Sequence, residues 1–279
     1  MHRYRVLQIP SVFEQHHLLR ACDVSAEEKF ESLYTVDNLL GRGAFGSVFA
    51  GVRKKDGKMV ALKFEAKGPR NKFITIPGET RSLPLEVALM EMVSRPPRCE
   101  NVVEMLEWFE MSDKFVLVLE RPVPCMNLEK YYEHNGYGLS EVISQTIMRQ
   151  VVRAAKHCCD CGVFHRDIKP ENILINPDTL EVKLIDFGCG DLMKDEVYTS
   201  FSGTPAYCPP EWIRNNEYLA VPATVWSLGV VLYEILSGNL PFYSEQEISV
   251  ACVPLLSGLS EGEKIRNITF LPLEQNCNT

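Results

Sequence analysis

The sequence has no run of eighteen or more apolar residues, the length that a helix needs to cross a bilayer, so we expect no membrane partner. Positive charge is also scarce. The 29 Lys and Arg residues stand against 37 Asp and Glu residues, which gives a formal net charge of −8. Nucleic-acid binding needs a basic surface that displaces counterions from phosphate, so we expect no nucleic-acid partner. No internal repeat or long low-complexity linker is present.

A secretion signal is not evident either. Residues Met1–Arg20 are interrupted by charged residues and a proline, which does not fit the apolar core of a signal peptide. The ten cysteines are therefore expected to be reduced thiols. Cys158, Cys159 and Cys161 cluster without a second ligand pair, which favours small buried residues at a helix end over a zinc site. We expect a cytoplasmic monomer, with the nucleus as a second compartment.

The 279 residues are 46% hydrophobic and 24% charged, an ordinary globular balance. Four segments differ in character. Residues 1–31 have the mixed composition of a leader, 32–121 are rich in strand patterns, 122–247 are mainly helical, and 248–279 form a polar tail. We expect a ligand cleft between the two central segments.

Short-range patterns place the main elements. The Asp56-Gly57 pair predicts a hairpin between strands at Val48–Val52 and Met59–Phe64. Apolar spacing predicts a helix over Pro84–Val93, and apolar runs predict strands at Val102–Phe109 and Phe115–Leu119. A longer helix is predicted over Ser140–Cys161, with its apolar stripe at Val142, Ile143, Ile147, Val151, Val152 and Ala155. An apolar helix is predicted over Pro222–Leu236, ending at Gly238.

Residues Gly41–Val48 form a G-x-G-x-x-G-x-V run between predicted strands. Three close glycines alone often mark only a flexible turn, but they also let a backbone approach phosphate without interference from Cβ atoms. No helix follows the run, and it lacks the Gly-Lys-Ser/Thr of a Walker loop. Rossmann and P-loop sites are therefore disfavoured.

Lys63 ends a Val-Ala-Leu-Lys strand, where an ammonium among apolar neighbours needs an anionic partner. Glu86 lies on the amphipathic helix predicted at Pro84–Val93 and is the candidate partner. The pair would hold the lysine toward the α- and β-phosphates of a nucleotide.

The most specific pattern is His165–Asn172, an H-R-D-x-x-x-x-N run followed by Asp186-Phe187-Gly188. Asp167 can orient a hydroxyl nucleophile and accept its proton. Asn172 and Asp186 supply oxygen ligands for a metal that bridges phosphates. Lys169 can neutralise charge on a transferring phosphoryl group. The occurrence of all these runs in this order makes chance a poor explanation.

The chain resembles a eukaryotic protein kinase from the glycine loop through Gly238, and within that superfamily it most resembles the Pim serine/threonine kinases. The segments that carry this resemblance are Phe115–Pro124, Cys161–Lys169, Leu184–Gly188, Lys194–Thr199, Pro209–Arg214 and Trp226–Gly229.

The resemblance implies an α+β, bilobal protein-kinase fold with a β-rich N-lobe and a mainly helical C-lobe. It also implies ATP and Mg²⁺ as cofactors, and transfer of the γ-phosphoryl group to serine or threonine hydroxyls of protein substrates. The implied nucleotide-binding residues are Leu40, Gly41, Arg42, Gly43, Ala44, Phe45, Gly46, Ser47, Val48, Ala61, Lys63, Glu120 and Leu174.

Pim kinases prefer basic substrates, which they bind through acidic residues around the peptide groove. This chain has Asn127, Lys130 and Pro170 where acidic residues are expected, whereas Glu129, Glu171 and Glu245 remain. The resemblance therefore implies a weakened preference for basic substrates.

Pro122 has a consequence of its own. In kinases the backbone N–H three residues after the gatekeeper usually donates to the adenine ring. If Leu119 is the gatekeeper, that residue is Pro122, which has no N–H. We expect adenine to contact the hinge only through the Glu120 carbonyl.

The C-terminal end departs from the kinase pattern. After Phe242 we find no matching terminal helices, and Arg266 is the only arginine after Arg214. The family pairs an arginine with the glutamate at the position of Glu211, and a buried carboxylate without its partner can cost about 3–5 kcal/mol. We therefore expect an incomplete, destabilised C-lobe. The alternative to an active kinase is a nucleotide-binding scaffold with weakened catalysis; a small-molecule kinase is disfavoured because Gly203–Trp212 resembles a peptide-positioning segment.

Overall fold

The computed structural model describes residues 25–69 and 71–256, which form two lobes joined by the segment after residue 120. The bilobal α+β architecture is confirmed. The N-lobe contains α1 (Ala26–Leu33), β1 (Tyr34–Gly43), β2 (Gly46–Arg53), β3 (Lys58–Ala66), β4 (Phe73–Thr75), β5 (Ser82–Pro84), α2 (Leu85–Val93), β6 (Met105–Glu110) and β7 (Lys114–Glu120).

The N-lobe is built on an antiparallel sheet with strand order β1-β2-β3-β7-β6. Its β2–β3 hairpin turns where the sequence predicts, because Gly57 adopts φ +71° and the Asp56 carboxylate accepts hydrogen bonds from Arg53 Nε (3.0 Å) and Lys58 N (3.2 Å). Successive side chains of β3 and β7 point to opposite faces of the sheet. Val60 and Val118 pack on the face toward α1, and Leu117 packs on the face toward α2.

The predicted helix at Pro84–Val93 is confirmed as α2, which is buried along almost its whole length. Pro84 is its N-cap, where a missing N–H costs nothing. Of its two acidic side chains, Glu91 is half-buried, whereas Glu86 is buried with the apolar ones. Such a burial requires a cation nearby.

Helix α1 crosses the boundary expected at residue 31, so the separation of a 1–31 leader from the N-lobe is wrong for its last residues. Ser25 and Glu28 form a capping box that starts the helix. Phe30 is 4% exposed and belongs to the apolar cluster on the outer face of the sheet. Residues 1–24 of the expected leader lie outside the described residues.

The C-lobe is mainly helical, with three short antiparallel strand pairings near the cleft. Its elements are β8 (Met126–Asn127), α3 (Leu128–His134), α4 (Glu141–Asp160), β9 (Val163–Phe164), β10 (Ile173–Ile175), β11 (Val182–Leu184), β12 (Asp191–Leu192), α5 (Pro210–Asn215), α6 (Ala220–Ser237) and α7 (Glu245–Val250).

Helix α4 forms where expected, but part of its predicted apolar stripe is wrong. Val142 is 76% exposed and Val152 is 36% exposed. The buried face includes Ile147, Val151 and Cys158, spaced i, i+4 and i+11. Val142 and Val152 fall outside that register, and therefore face solvent.

Helix α6 crosses the middle of the C-lobe and ends at Gly238, whose φ of +72° forms the expected C-cap. By length and composition alone it could span a membrane, but half of it is buried, as in the core helix of a folded lobe. Trp226 stacks on Phe242 with ring centroids 5.6 Å apart. Val221 remains 53% exposed, so the helix is partly uncovered within the described part of the chain.

Glu211, at the start of α5, is half-buried. Burial raises the pKa of its carboxyl, opposed by the charge of Arg214, and no cation lies within 4 Å of it among residues 25–69 and 71–256. The Arg214 Nε atom donates instead to the Ser249 carbonyl of α7 (2.7 Å). Arg266 lies outside the described residues, and the destabilised C-lobe stays a prediction.

We predict that Phe30→Ala destabilises the N-lobe. Its ring centroid lies 5.4 Å from that of Phe109 and 5.6 Å from that of Tyr34. Removing such a buried ring costs about 3–5 kcal/mol of unfolding free energy. Urea unfolding should show this loss, whereas the exposed Val142→Ala control should barely change the midpoint. Equal effects of the two substitutions would contradict the packing of α1.

Candidate active site

The glycine loop is the turn between β1 and β2. Gly46 has φ +151°, and a Cβ there would lie 2.1 Å from the Phe64 carbonyl oxygen, so only glycine fits. Gly41 and Gly43 have open space where a Cβ would point. The Phe45 ring at the tip lies against Gly188, close enough that a Cβ there would be 2.7 Å from it. The loop therefore covers the Asp186–Gly188 turn.

The predicted partner of Lys63 is confirmed by its contacts in the structure. Lys63 Nζ lies 2.7 and 2.6 Å from the two carboxylate oxygens of Glu86, 2.8 Å from Asp186 Oδ1 and 3.6 Å from Glu65 Oε1. We call this group the lysine cluster. Burial by itself would lower the pKa of Lys63, but the charges of Glu86, Asp186 and Glu65 outweigh it and raise that pKa. The ammonium is therefore permanently charged.

The carboxylates of the lysine cluster depend on that ammonium. Burial raises the pKa of Glu86, and the Lys63 charge opposes this. Burial also acts to raise the pKa of Asp186, but the charge and hydrogen bond of Lys63 hold it below its usual value. Asp186 is thereby kept ionised, as a metal ligand must be.

The Asp186–Gly188 turn has a constrained backbone. Asp186 has φ +64°, and its Oδ1 accepts a hydrogen bond from Gly188 N (3.2 Å). Phe187 is fully buried and meets the His165 ring edge to face at 4.8 Å. This packing turns the Asp186 side chain toward Lys63.

Asp167 is fixed by several donors. Its Oδ1 accepts from Thr204 N (2.9 Å) and Thr204 Oγ1 (2.7 Å), and its Oδ2 accepts from Asn172 Nδ2 (2.9 Å). Lys169 Nζ lies 3.1 Å from Asp167 Oδ2 and donates to Thr204 Oγ1 (2.6 Å). Gly203 allows this approach, because a Cβ there would lie 2.3 Å from the Arg166 carbonyl oxygen.

The backbone beneath Asp167 is held by its two neighbours. Burial lowers the pKa of His165, so the ring is neutral; it accepts from Asp167 N (3.3 Å) and donates to the Ile185 carbonyl (3.0 Å). Arg166 donates from Nε to the Cys189 carbonyl (2.6 Å) and from a terminal nitrogen to the Gly190 carbonyl (2.8 Å). The catalytic loop is thereby tied to the segment after Asp186.

The oxygens available near Asp186 suit Mg²⁺. Asn172 uses its Nδ2 for Asp167, and no described residue donates to its Oδ1. Ile185 N donates to the Asn172 carbonyl (2.9 Å), which links the two predicted ligands. The described residues contain no cluster of three or more His, Cys, Asp or Glu placed to hold a metal alone. This set fits an ion that takes its remaining ligands from phosphates and water.

The predicted adenine-binding residues lie on four elements. Leu40 is exposed on β1, and Ala61 of β3 pairs in register with Leu119 of β7. Glu120 ends β7, and Leu174 lies in β10, half-buried. Both lobes thus contribute to the expected pocket.

Three acidic side chains of the C-lobe lie near one another: Glu129, Glu171 and Glu234, the carboxylate trio. Glu234 is buried and accepts hydrogen bonds from Tyr132 (2.9 Å) and Tyr207. Glu171 has one buried carboxylate oxygen without a hydrogen-bond partner in the described part of the chain. Burial raises the pKa of Glu129, with the charge of Glu171 adding to it.

Comparison with known proteins agrees with this geometry. The protein kinase domain family matches residues 34–265. The chain belongs to the protein kinase family. The match reaches into the segment 248–279 that was expected to diverge.

Among similar kinases, serine/threonine-protein kinase pim-2 of Danio rerio is 40% identical over 240 residues, which cover 84% of this chain and 76% of the relative. Serine/threonine-protein kinase prk-2 of Caenorhabditis elegans is 38% identical over 223 residues, covering 80% of this chain and 49% of the relative, so the chain spans about half of that protein. A PAS domain-containing serine/threonine-protein kinase of Mus musculus is 34% identical over 255 residues, which cover 86% of this chain and 18% of the relative. The resemblance to Pim kinases is confirmed.

Two residues of the kinase site were missed in the sequence. Thr204 lies in the Gly203–Trp212 segment that resembles a peptide-positioning one, but its contacts with both Asp167 and Lys169 were not expected. Glu234 was not considered at all, although a lone carboxylate in the apolar helix α6 is a signal that a partner is needed. Of the acidic residues expected at the groove, Glu245 is exposed at the start of α7.

We predict that Lys63→Met destabilises the fold by about 3–5 kcal/mol, because it leaves buried carboxylates without their cation. Glu86 then keeps a raised pKa in the folded state and takes up a proton on folding. The loss should therefore be larger at pH 8 than at pH 5, as measured by urea unfolding. The double variant Lys63→Met/Glu86→Gln should recover part of the stability. A loss that is independent of pH would contradict this account.

Proposed function

We propose that this chain is an active serine/threonine protein kinase that transfers the γ-phosphoryl group of ATP to hydroxyls of protein substrates. The observation that carries the proposal is the lysine cluster, in which one ammonium contacts both Glu86 of α2 and Asp186 of the Asp186–Gly188 turn, which we call the metal turn. Active protein kinases require the lysine–glutamate ion pair and a metal-binding aspartate turned into the site. The lysine cluster contains that ion pair and holds Asp186 beside it. The names of the similar proteins support serine and threonine as acceptors. No observation favours a scaffold without catalysis.

The residues have distinct proposed roles. Mg²⁺, held by Asn172 and Asp186, would neutralise charge on the phosphates. Lys63 binds the α- and β-phosphates, beneath a glycine loop whose open backbone allows close approach. Asp167 orients the acceptor hydroxyl and accepts its proton, while Lys169 stabilises charge on the phosphoryl group in the transition state.

The residues of the hinge determine how the adenine ring would bind. Pro122 offers no N–H, so we propose that adenine donates to the Glu120 carbonyl and receives no hydrogen bond from residue 122. Ala61 and Leu174 would enclose the ring from the two lobes.

Every group placed in the reaction comes from one chain, which supports a monomer. Cys158, Cys189 and Cys208 are buried thiols that form no disulfide, which supports the proposed location in the reducing cytoplasm, with access to the nucleus.

The carboxylate trio supports a preference for basic substrates. Glu171 carries an unpaired buried oxygen, and a guanidinium or ammonium would supply the donor that it lacks. Asn127 serves as the N-cap of α3, accepting from Lys130 N (3.0 Å), so that position is committed to structure. We propose that Glu129 and Glu171 of the trio carry the preference, since Glu234 is likewise committed to two tyrosines.

We expect Asp167→Asn to lower kcat by roughly 10²–10⁴-fold, because the amide cannot accept the hydroxyl proton. Mg-ATP affinity should change much less than kcat, since Asp167 is not itself a proposed ligand of the nucleotide or of Mg²⁺. The measurement is phosphoryl transfer to a basic serine peptide, beside fluorescence titration with nucleotide. Asp178→Asn, on the exposed β10–β11 turn, is the matched control. A wild-type chain that binds Mg-ATP without turnover would support the scaffold instead.

Glu171→Gln tests the substrate preference. The KM for a serine peptide with an upstream arginine should rise about fivefold or more, as expected for loss of a charged hydrogen bond. The same peptide with alanine in place of that arginine should show little change between wild type and variant. Glu31→Gln, exposed on α1, is the control. If the KM rises equally for both peptides, the trio does not select basic substrates.

A further inference from the structure

The hinge residue Glu120 is held to Glu104 and Lys183 by three hydrogen bonds. Its backbone N donates to the Glu104 carbonyl (2.9 Å), and its Oε1 accepts from Glu104 N (2.8 Å), so it engages both backbone groups of one N-lobe residue. The same Oε1 accepts from Lys183 Nζ at 2.8 Å. A residue that offers its carbonyl to adenine is thus also the contact point between β7 and a C-lobe strand.

Lys183 lies in β11, and its side chain reaches the hinge residue Glu120. Its Nζ also donates to the Glu100 carbonyl (2.8 Å), in the segment between α2 and β6. In the β10–β11 ladder it pairs directly with Leu174, a proposed contact of the adenine ring. Three residues further along the chain is Asp186, the proposed metal ligand. Lys183 therefore joins the strand that leads to the phosphate end of the site to the hinge at its adenine end.

This ion pair differs from the ordinary surface pairs of the chain. The Lys183 and Glu120 side chains are 24% and 21% exposed, whereas those of the Lys156–Asp160 pair, within one turn of α4, are 72% and 60% exposed. Exposed pairs of the second kind contribute little to stability. The Lys183 ammonium is partly shielded from water, has two acceptors and joins different lobes, so its loss has a structural consequence that a surface pair lacks.

We propose that Lys183 is a positioning residue for nucleotide: through the Glu120 carboxylate it fixes the distance between the hinge carbonyl and the Asp186 turn. This inference rests on the proposed kinase function. ATP must bind at the hinge carbonyl and at the Asp186 turn at the same time, so its affinity depends on the distance between them. Adenosine uses only the hinge end, which remains held by Glu104 when Lys183 is replaced.

The test compares two ligands on the full chain. For Lys183→Met, the dissociation constant of Mg-ATP should rise about five- to tenfold, as for loss of a charge-assisted hydrogen bond, while that of adenosine changes less than about twofold. The KM for ATP should rise in parallel, with a much smaller change in kcat. Lys183→Arg keeps the cation and should restore Mg-ATP binding. Lys156→Met is the matched control and should bind both ligands as wild type does.

A variant of Glu120, the partner of Lys183, completes a double-mutant cycle. Glu120→Gln keeps an oxygen for Glu104 N but removes the charge, so it should reproduce the Mg-ATP defect. The double variant Lys183→Met/Glu120→Gln should be no weaker than either single one.

Equal losses for adenosine and Mg-ATP would overturn the inference, because they would indicate general damage to the fold. Unchanged Mg-ATP binding in Lys183→Met would also overturn it, while the kinase function would stand. A wild-type chain that binds no nucleotide would overturn the proposed function and the inference together.

Discussion

The buried Lys63 ammonium is the interaction on which the rest of the site depends. Its partners come from α2, β3 and the metal turn, so one charge fixes three elements relative to one another. Removing carboxylates from water is costly, and only the shared cation makes their burial tolerable. The position of α2, and with it the N-lobe core, is therefore coupled to the orientation of Asp186.

A second constraint is the backbone of the catalytic loop. Arg166 and Asp186 have φ values of +66° and +64°, and Gly203 has +122°. Residues other than glycine adopt such values only where surrounding contacts enforce them. Here the hydrogen bonds of Arg166 and the packing of Phe187 supply those contacts. Asp167, Thr204 and Lys169 are thereby brought within hydrogen-bonding distance in a preorganised arrangement, which lowers the reorganisation needed during transfer.

The C-lobe supports this arrangement through α6, which carries Trp226 into the core and presents Glu234 to two tyrosines. The same helix leaves Val221 exposed, and Glu211 of α5 is half-buried with no cation within 4 Å in the described ranges. The catalytic residues thus have their contacts, whereas parts of α5 and α6 are less well covered. The two lobes meet again at the hinge, where Glu120 joins Glu104 to Lys183.

Local sequence patterns were enough to predict much of the fold. Asp56-Gly57, Pro84 and Gly238 define turns and helix ends through backbone preferences that act over a few residues, and the hairpin and helices form there. The glycine loop, Lys63, Asp167, Asn172 and Asp186 were found because each lies in a short run with fixed spacing. Helix α1 was assigned to the leader, because its only sequence signal for burial is Phe30, one aromatic residue in a polar segment.

The sequence by itself thus determined which groups perform the chemistry and in what order they occur. The tertiary structure decided which groups surround them: Thr204 on Asp167, Glu234 between Tyr132 and Tyr207, and Lys183 on Glu120. These partners are separated by 37, 102, 27 and 63 positions. No local preference connects residues that far apart. Their contacts exist because the packing of apolar faces brings distant segments together, and each buried polar group must then find its partner there.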